Sequence, residues 1–242
     1  MAKICVITGG TSGIGKCTAE AMAKNGYTVY ELSRRAEGLP GMFHIPTDVT
    51  DPDACQRAID EIVSQAGKID VLINNAGFGI SGAIEFTPIE QAKRQLDVNF
   101  FGMVNMNHAA LPVLRKQGFG RIVNLSSVAG AIPIPFQAFY SASKAAINSY
   151  TMALANEIKP FGVTVCCVQP GDIRTGFTDA RQKIAVGDDI YNGRISRSVA
   201  GMEKDERGGM APEAAGAFIC RVATKKGVKP INTIGLSYQF FC

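Results

Sequence analysis

Residues 6–23 read "VITGGTSGIGKCTAEAMA", an apolar run that breaks into Gly9, Gly10, Gly13 and Gly15 and then into small, helix-forming residues. The run starts at "KICVIT" (3–8), which has the composition of a buried strand, and the stretch after Gly13 has helical character. Glycines at this junction permit a tight turn and close approach of a phosphate to the backbone. The helix that follows offers free N–H groups and the positive end of its dipole. The spacing differs from G-x-G-x-x-G, and a glycine turn can be purely structural. Its place directly after the first strand makes the loop carrying Gly9, Gly10, Gly13 and Gly15 a candidate phosphate cradle, within which Thr11, Ser12 and Ile14 also fall.

Further β-rich runs follow at 27–33 ("YTVYELS"), 41–48, 69–75, 120–127 and 163–170. Most are continuously apolar, as strands covered on both faces are. Helical segments lie between them: one opened by Asp51 and Pro52, long ones over 89–117 and 138–159, and a last one near 211–215. This alternation predicts an α/β fold with one doubly wound parallel β-sheet and helices on both faces. No repeat or composition shift marks a second domain, so residues 1–242 are expected to form one unit. The stretch 171–210, rich in Gly, Arg and Asp, falls beyond a strand end, where ligands bind in such sheets. It is expected to be a substrate lid. The terminal "INTIGLSYQFF" is ambiguous between strand and helix.

The chain has 242 residues, a net charge of +4 and scattered basic residues, which gives no nucleic-acid stripe. Seven cysteines without C-x-x-C spacing argue against a disulfide framework or zinc site and for a reducing, cytoplasmic setting. No run reaches membrane-spanning length. His44 and His108, the two histidines, lack acids or cysteines at ligand spacing, so no metal is expected.

The end of the second strand tests the cradle. An acid there would bond a ribose 2′-hydroxyl, whereas arginine suits a 2′-phosphate. Here "YELSRR" places Ser33 at that position, followed by Arg34, although Glu31 is near enough to contest the register. The pattern favours NADP(H), with NAD(H) still open. Downstream, "FYSASKAA" (139–146) sets Tyr140 and Lys144 one helical turn apart. An ammonium near a phenol favours the phenolate, and a phenol so tuned can exchange a proton. Upstream, "IVNLSSVAG" ends a strand with Ser126 and Ser127, of which side-chain alternation favours Ser127. Asn99 sits inside a predicted helix, where it could equally serve a kink.

Taken in order, "TGGTSGIG", "DV" (48–49), "NNAG" (74–77), Asn99, Ser127, "YSASK" and "PGDIRT" (170–175) resemble the short-chain dehydrogenases/reductases over nearly the whole chain. Within that family, "VYELSRR" and "IKPFGVTVCCVQPGDIRTGF" look most like the branch containing 17-beta-hydroxysteroid dehydrogenase-like enzymes. The resemblance implies a Rossmann-type fold and an oxidoreductase interconverting a carbonyl and an alcohol. Tyr140 would be the general acid or base. Lys144 would lower its pKa and hold the nicotinamide ribose, Ser127 would bond the substrate oxygen, and Asn99 would hold a relay water. Asp48 and Val49 would contact the adenine, and Asn75, Ala76 and Gly77 the adjacent ribose. Thr11, Ser12 and Arg34 would meet the 2′-phosphate, and Pro170, Gly171, Ile173 and Thr175 the nicotinamide. A homodimer or homotetramer through the long helices is likewise implied.

Phe78, Ile80, Phe136, Phe139 and Phe177 flank the site in sequence and suggest an apolar, steroid- or lipid-like substrate. Arg181, Lys183, Arg194 and Arg197 in the lid could instead receive a carboxylate or phosphate. Two other classes of function stay open. A sensor or scaffold that binds the dinucleotide without turnover has no need of the Ser127–Tyr140–Lys144 set, and an epimerase or dehydratase is disfavoured by chain length. Family members of this branch often continue past the last strand, so the apolar end at "SYQFFC" is expected to bury in a subunit contact or to mark a shortened form.

Overall fold

The computed structural model describes residues 2–235 and Tyr238; the rest of "SYQFFC" and the end of the chain lie outside the described residues. The glycine-punctuated opening forms β1 (Lys3–Thr8) and α1 (Gly13–Lys24), followed by β2 (Tyr27–Ser33), β3 (Phe43–Pro46), α2 (Pro52–Ala66) and β4 (Val71–Asn74). Next come a two-residue strand β5 (Ile80–Ser81), then α3 (Ile89–Leu96), α4 (Gly102–Gln117) and β6 (Gly120–Leu125). The chain continues through α5 (Ala138–Ile158), β7 (Val163–Gln169), α6 (Phe177–Ala180), β8 (Gln182–Lys183), α7 (Arg194–Gly208), α8 (Pro212–Thr224) and β9 (Ile231–Thr233).

Seven strands make one parallel sheet in the order β3-β2-β1-β4-β6-β7-β9. The order reverses between β1 and β4, so their carboxyl ends open a crevice there. Strand β1 explains why the runs are apolar throughout. Ile4 and Val6 enter a core built with α2, α4 and α5 on one face, while Cys5 and Ile7 enter a second core with α1 and α8 on the other. Successive side chains point to opposite faces, so a strand covered twice has no polar side. The ambiguous last segment contributes β9, a parallel edge strand registered on β7.

Two helix boundaries follow directly from residue chemistry. Asp51 accepts from the Asp53 and Ala54 N–H groups (2.9 and 3.1 Å) ahead of Pro52, and Gly67 closes α2 with φ 76°. The single helix expected over 89–117 is instead interrupted by a π-helical turn at Asp97–Phe101. The asparagine at its centre turns its side chain inward to bond the backbone of another loop. A regular helix gives no special reason for that geometry, and π-turns often accompany functional positions. Among the described residues, no helix is long and apolar enough to cross a membrane.

Helix α8 approaches α1 at Gly216, where an added Cβ would lie 2.6 Å from the Cys17 carbonyl carbon. Gly216→Val should therefore force the two helices apart and cost about 1–3 kcal/mol, read as a lowered denaturant midpoint with unchanged slope.

Candidate active site

Thr8 and Asn75 build the floor of the crevice. The Thr8 hydroxyl accepts the N–H groups of Asn75 and Ala76 (both 3.0 Å), and the Asn75 amide donates to the carbonyls of Thr8 and Gly9 (both 3.0 Å). Gly9 and Gly13 take positive φ (66° and 53°), a region glycine enters freely. Gly15 is pressed against this knot: a Cβ there would sit 2.2 Å from the Gly9 carbonyl oxygen. Ser12 is the N-cap of α1 but makes no side-chain cap bond, so the first turn of α1 keeps its donors for a ligand. The Asn75 side chain thus holds the glycine loop against the loop after β4.

The second-strand end carries Arg34, exposed beside Asp48. Burial pushes the Asp48 carboxyl up, but the Thr50 N–H and hydroxyl, with Arg34 and Arg94, outweigh it and hold the group below its usual range. The Val49 carbonyl accepts from Asn105 (2.9 Å), fixing the wall on which an adenine is expected.

At the ends of β6 and β7 the two serines separate. Ser126 spends its hydroxyl on the Lys144 carbonyl (2.9 Å), whereas the Ser127 hydroxyl accepts the Ala129 N–H (3.1 Å) and lies near enough to the Tyr140 phenol to favour its ionised form. Lys144 is buried and donates to the Leu125 carbonyl (2.8 Å), with its nitrogen 5.6 Å from the Tyr140 ring centre. Desolvation lowers the Lys144 amine to about 8. Burial is also the largest effect on Tyr140 and raises the phenol to about 12. The Ser127 hydroxyl opposes that rise, Glu206 adds to it and Arg181 opposes it. Desolvation outweighs the charges around the phenol, which stays protonated at neutral pH.

Asn99 occupies the π-turn. Its carbonyl accepts the Phe78 N–H (2.9 Å), and its amide donates to the Phe78 carbonyl (3.0 Å) and the Ser143 hydroxyl (3.2 Å). The side chain therefore ties the loop after β4 to α5, beside Gly77, where an added Cβ would lie 3.2 Å from its oxygen and 3.8 Å from the Lys144 nitrogen. Pro170 accepts the Val128 N–H (3.0 Å) and the Ser127 hydroxyl (3.4 Å), which joins the β7 end to the β6 end. Gly171 and buried Ile173 continue from it, and Ile173 bridges to Met210. Thr175 stands over Gly13, about as far as a methyl contact, and its hydroxyl accepts the Phe177 N–H (3.2 Å).

Of the five predicted pocket residues, Phe177 lies against the Tyr140 ring, centroids 5.8 Å apart. Phe136 packs edge-on to Tyr191 (5.7 Å), and Phe78 lies under Arg94 (5.8 Å). Two of the four cations singled out in the 171–210 segment already have anionic partners. Arg181 pairs with Glu206 and Lys183 with Glu203. Glu206 was not foreseen; it sits in the charged run "GMEKDERGG", which looks like any solvated helix face.

With this geometry described, comparison with known proteins decides the family. A model of the family described as short chain dehydrogenase matches residues 3–184. This chain belongs to the short-chain dehydrogenases. It is 44% identical over 227 residues to a 3-ketodihydrosphingosine reductase of Bacteroides thetaiotaomicron, covering 93% of this chain and 84% of that one. The crystal structure of a short-chain dehydrogenase from Streptomyces avermitilis superposes with a TM-score of 0.89 at 30% identity, covering 100% of this chain and 90% of its own. ElxO with NADP bound superposes at 0.82 with 27% identity, covering 99% and 100%. As a short-chain dehydrogenase the chain is an oxidoreductase on a nucleotide-binding α/β fold.

The buried lysine has a consequence for stability. Below about pH 8 both folded and unfolded chains carry its proton. Between about 8 and the ordinary 10.5 only the unfolded chain does, so stability from this group rises with pH. Tyr140 acts oppositely, but only from its ordinary 10.0 up to about 12. Urea unfolding of the protein and of Lys144→Met from pH 8 to 10 should show the unsubstituted chain gaining roughly 2–3 kcal/mol relative to the variant.

Proposed function

We propose that this short-chain dehydrogenase is an NADP(H)-dependent carbonyl reductase acting on an apolar, lipid-like ketone. The observation that carries the reading is the convergence of the Tyr140 ring, buried Lys144 with its nitrogen 5.6 Å from that ring centre, and Ser127 just past β6, at the same sheet edge as the glycine loop. A positive-φ glycine turn, an α1 start with its donors spare and an exposed arginine beside Asp48 fit a dinucleotide carrying a 2′-phosphate.

When bound, the nicotinamide supplies the hydride. Tyr140, protonated at neutral pH, donates its phenolic proton to the substrate oxygen. The Ser127 hydroxyl donates a second hydrogen bond to that oxygen as charge develops. Lys144 holds the far side of the site through Leu125, so its ammonium faces the phenol without being free to swing. Asn99 keeps the π-turn and the Phe78 loop in register with α5. Residues 171–210 serve as the lid, with Phe177 as its inner apolar surface against Tyr140.

The identity to a 3-ketodihydrosphingosine reductase supports a long-chain ketone over a steroid. The NADP-bound neighbour supports the cofactor, and Arg34 supports it more directly. Exposed Phe101 and Met152 on the π-turn and α5 support subunit contacts along these helices, for which sedimentation is the direct readout.

The test is oxidation of NADPH and NADH side by side over ketones that include sphingoid, acyl and steroid substrates. Tyr140→Phe should lower kcat at least 100-fold while leaving NADPH affinity within about twofold. Arg34→Ala should weaken NADPH about tenfold and NADH little; equal weakening would sink the cofactor assignment. Tight binding without turnover on any ketone would favour a binding module instead.

A further inference from the structure

We propose that Glu31 and His44 form a proton-sharing pair that keeps the floor of the 2′-phosphate pocket electrically neutral and so sets the preference for NADPH over NADH. The inference rests on the dinucleotide-site reading above and adds two residues to it. Neither lies among the residues that the family motifs carry.

Glu31 is fully buried in β2, two residues before Ser33. One carboxylate oxygen accepts the Gly10 N–H of the glycine loop (2.9 Å). The other lies 3.4 Å from the Ser33 hydroxyl and 2.6 Å from Nδ1 of His44, in β3. Among the described residues, His44 is the one ion-pair partner of Glu31. On its far side, Nε2 of His44 stands 2.9 Å from the Arg35 carbonyl oxygen. Arginine side chains of the same turn point to solvent, Arg34 and Arg35 both being exposed, as is Glu37. The chain of contacts therefore runs from the phosphate loop, through a carboxylate and an imidazole, to the turn that carries the 2′-phosphate arginine.

Donor counting fixes the proton content of this chain. A carbonyl oxygen can only accept, so Nε2 carries a hydrogen toward Arg35. Nδ1 and the Glu31 oxygen, 2.6 Å apart, would otherwise face each other with lone pairs. A second proton must lie between them, on nitrogen or on oxygen. Either placement gives the pair zero net charge. A bare carboxylate at this depth would sit one hydrogen bond behind both Gly10 and Ser33, where it would repel a 2′-phosphate dianion far more than a ribose hydroxyl. The neutral pair removes that repulsion. It also pins the Arg35 carbonyl, and with it the stem from which Arg34 extends. An acid on this strand is thus compatible with NADPH because a histidine stands behind it.

Fluorescence titration of the full chain with NADPH and NADH tests the pair through the ratio of the two affinities. Glu31→Gln, which keeps an acceptor for Gly10 without charge, should hold or raise the ratio. His44→Leu leaves the carboxylate uncompensated and should lower the NADPH-to-NADH preference about tenfold, chiefly through NADPH. The double variant Glu31→Gln/His44→Leu should restore it, a rescue that a purely structural role would not give. Should His44→Leu fail to fold, His44→Gln keeps a donor for Arg35 without the shared proton, and the same loss is expected. A ratio unchanged in every histidine variant, or equal loss of both dinucleotides without rescue, overturns the pair's role and leaves the enzyme reading standing. Failure of the unsubstituted chain to bind either dinucleotide overturns both.

Discussion

Everything in the crevice hangs on four hydrogen bonds that join Thr8 and Gly9 to Asn75 and Ala76 at the ends of β1 and β4. A parallel sheet brings its strand ends to one edge, but it does not say how the emerging loops lie against one another. Thr8 and Asn75 do. They fasten the first glycine loop to the loop after β4, and Gly15 fits under the knot only because it lacks a side chain. With that junction fixed, α1 starts at one point, and its first N–H groups face one direction. The Ser127–Tyr140–Lys144 group stands two strands away on the same edge, with Lys144 and Ser127 held by the carbonyls of Leu125 and Pro170. Positioning by backbone carbonyls makes the site a property of the sheet.

The chemistry of the pair then depends on the contest between burial and charge. Lys144 and Tyr140 are both pulled toward their neutral forms, the amine down to about 8 and the phenol up to about 12. Since both shifts have the same leading cause, desolvation, a proton on the phenol and a proton on the amine coexist at neutral pH. That is the charge state in which a reductase begins its proton transfer to a carbonyl.

The sequence made the parallel sheet and its loop-bearing edge legible because doubly covered strands are largely apolar and because glycine, proline and aspartate mark turns chemically. It also placed the serine, tyrosine and lysine, whose spacing along one strand end and one helix is local. What it missed is non-local. The π-turn arises because Asn99 reaches the Phe78 backbone, 21 residues away in sequence, and no helical periodicity encodes that. Glu206 reaches the site only because α7 folds back over α6, and the charge pattern of α7 is that of an ordinary exposed helix. The sequence shows His44 only as a histidine without metal-ligand spacing, and Glu31 only as a rival for the ribose position; pairing between β2 and β3 sets them in direct register and changes the meaning of both.

The small β5–β8 pair has a mechanical consequence. Gln182 donates to the Gly79 carbonyl (3.0 Å) and Ile184 to the Ser81 carbonyl (2.8 Å), stitching the base of the 171–210 segment to the loop after β4. Lys183 and Arg181 bolt that base to Glu203 and Glu206 of α7. Such a base cannot slide by small increments, since a strand ladder shifts by whole residues or not at all. Beyond it, the turn that carries exposed Val186 and Ile190 is closed by its own backbone, Tyr191 donating to the Gly187 carbonyl (2.9 Å) and Gly193 to that of Asp188 (2.7 Å). The wall nearest Tyr140 is therefore a fixed die, set by the strand pair on one side and by α7 on the other.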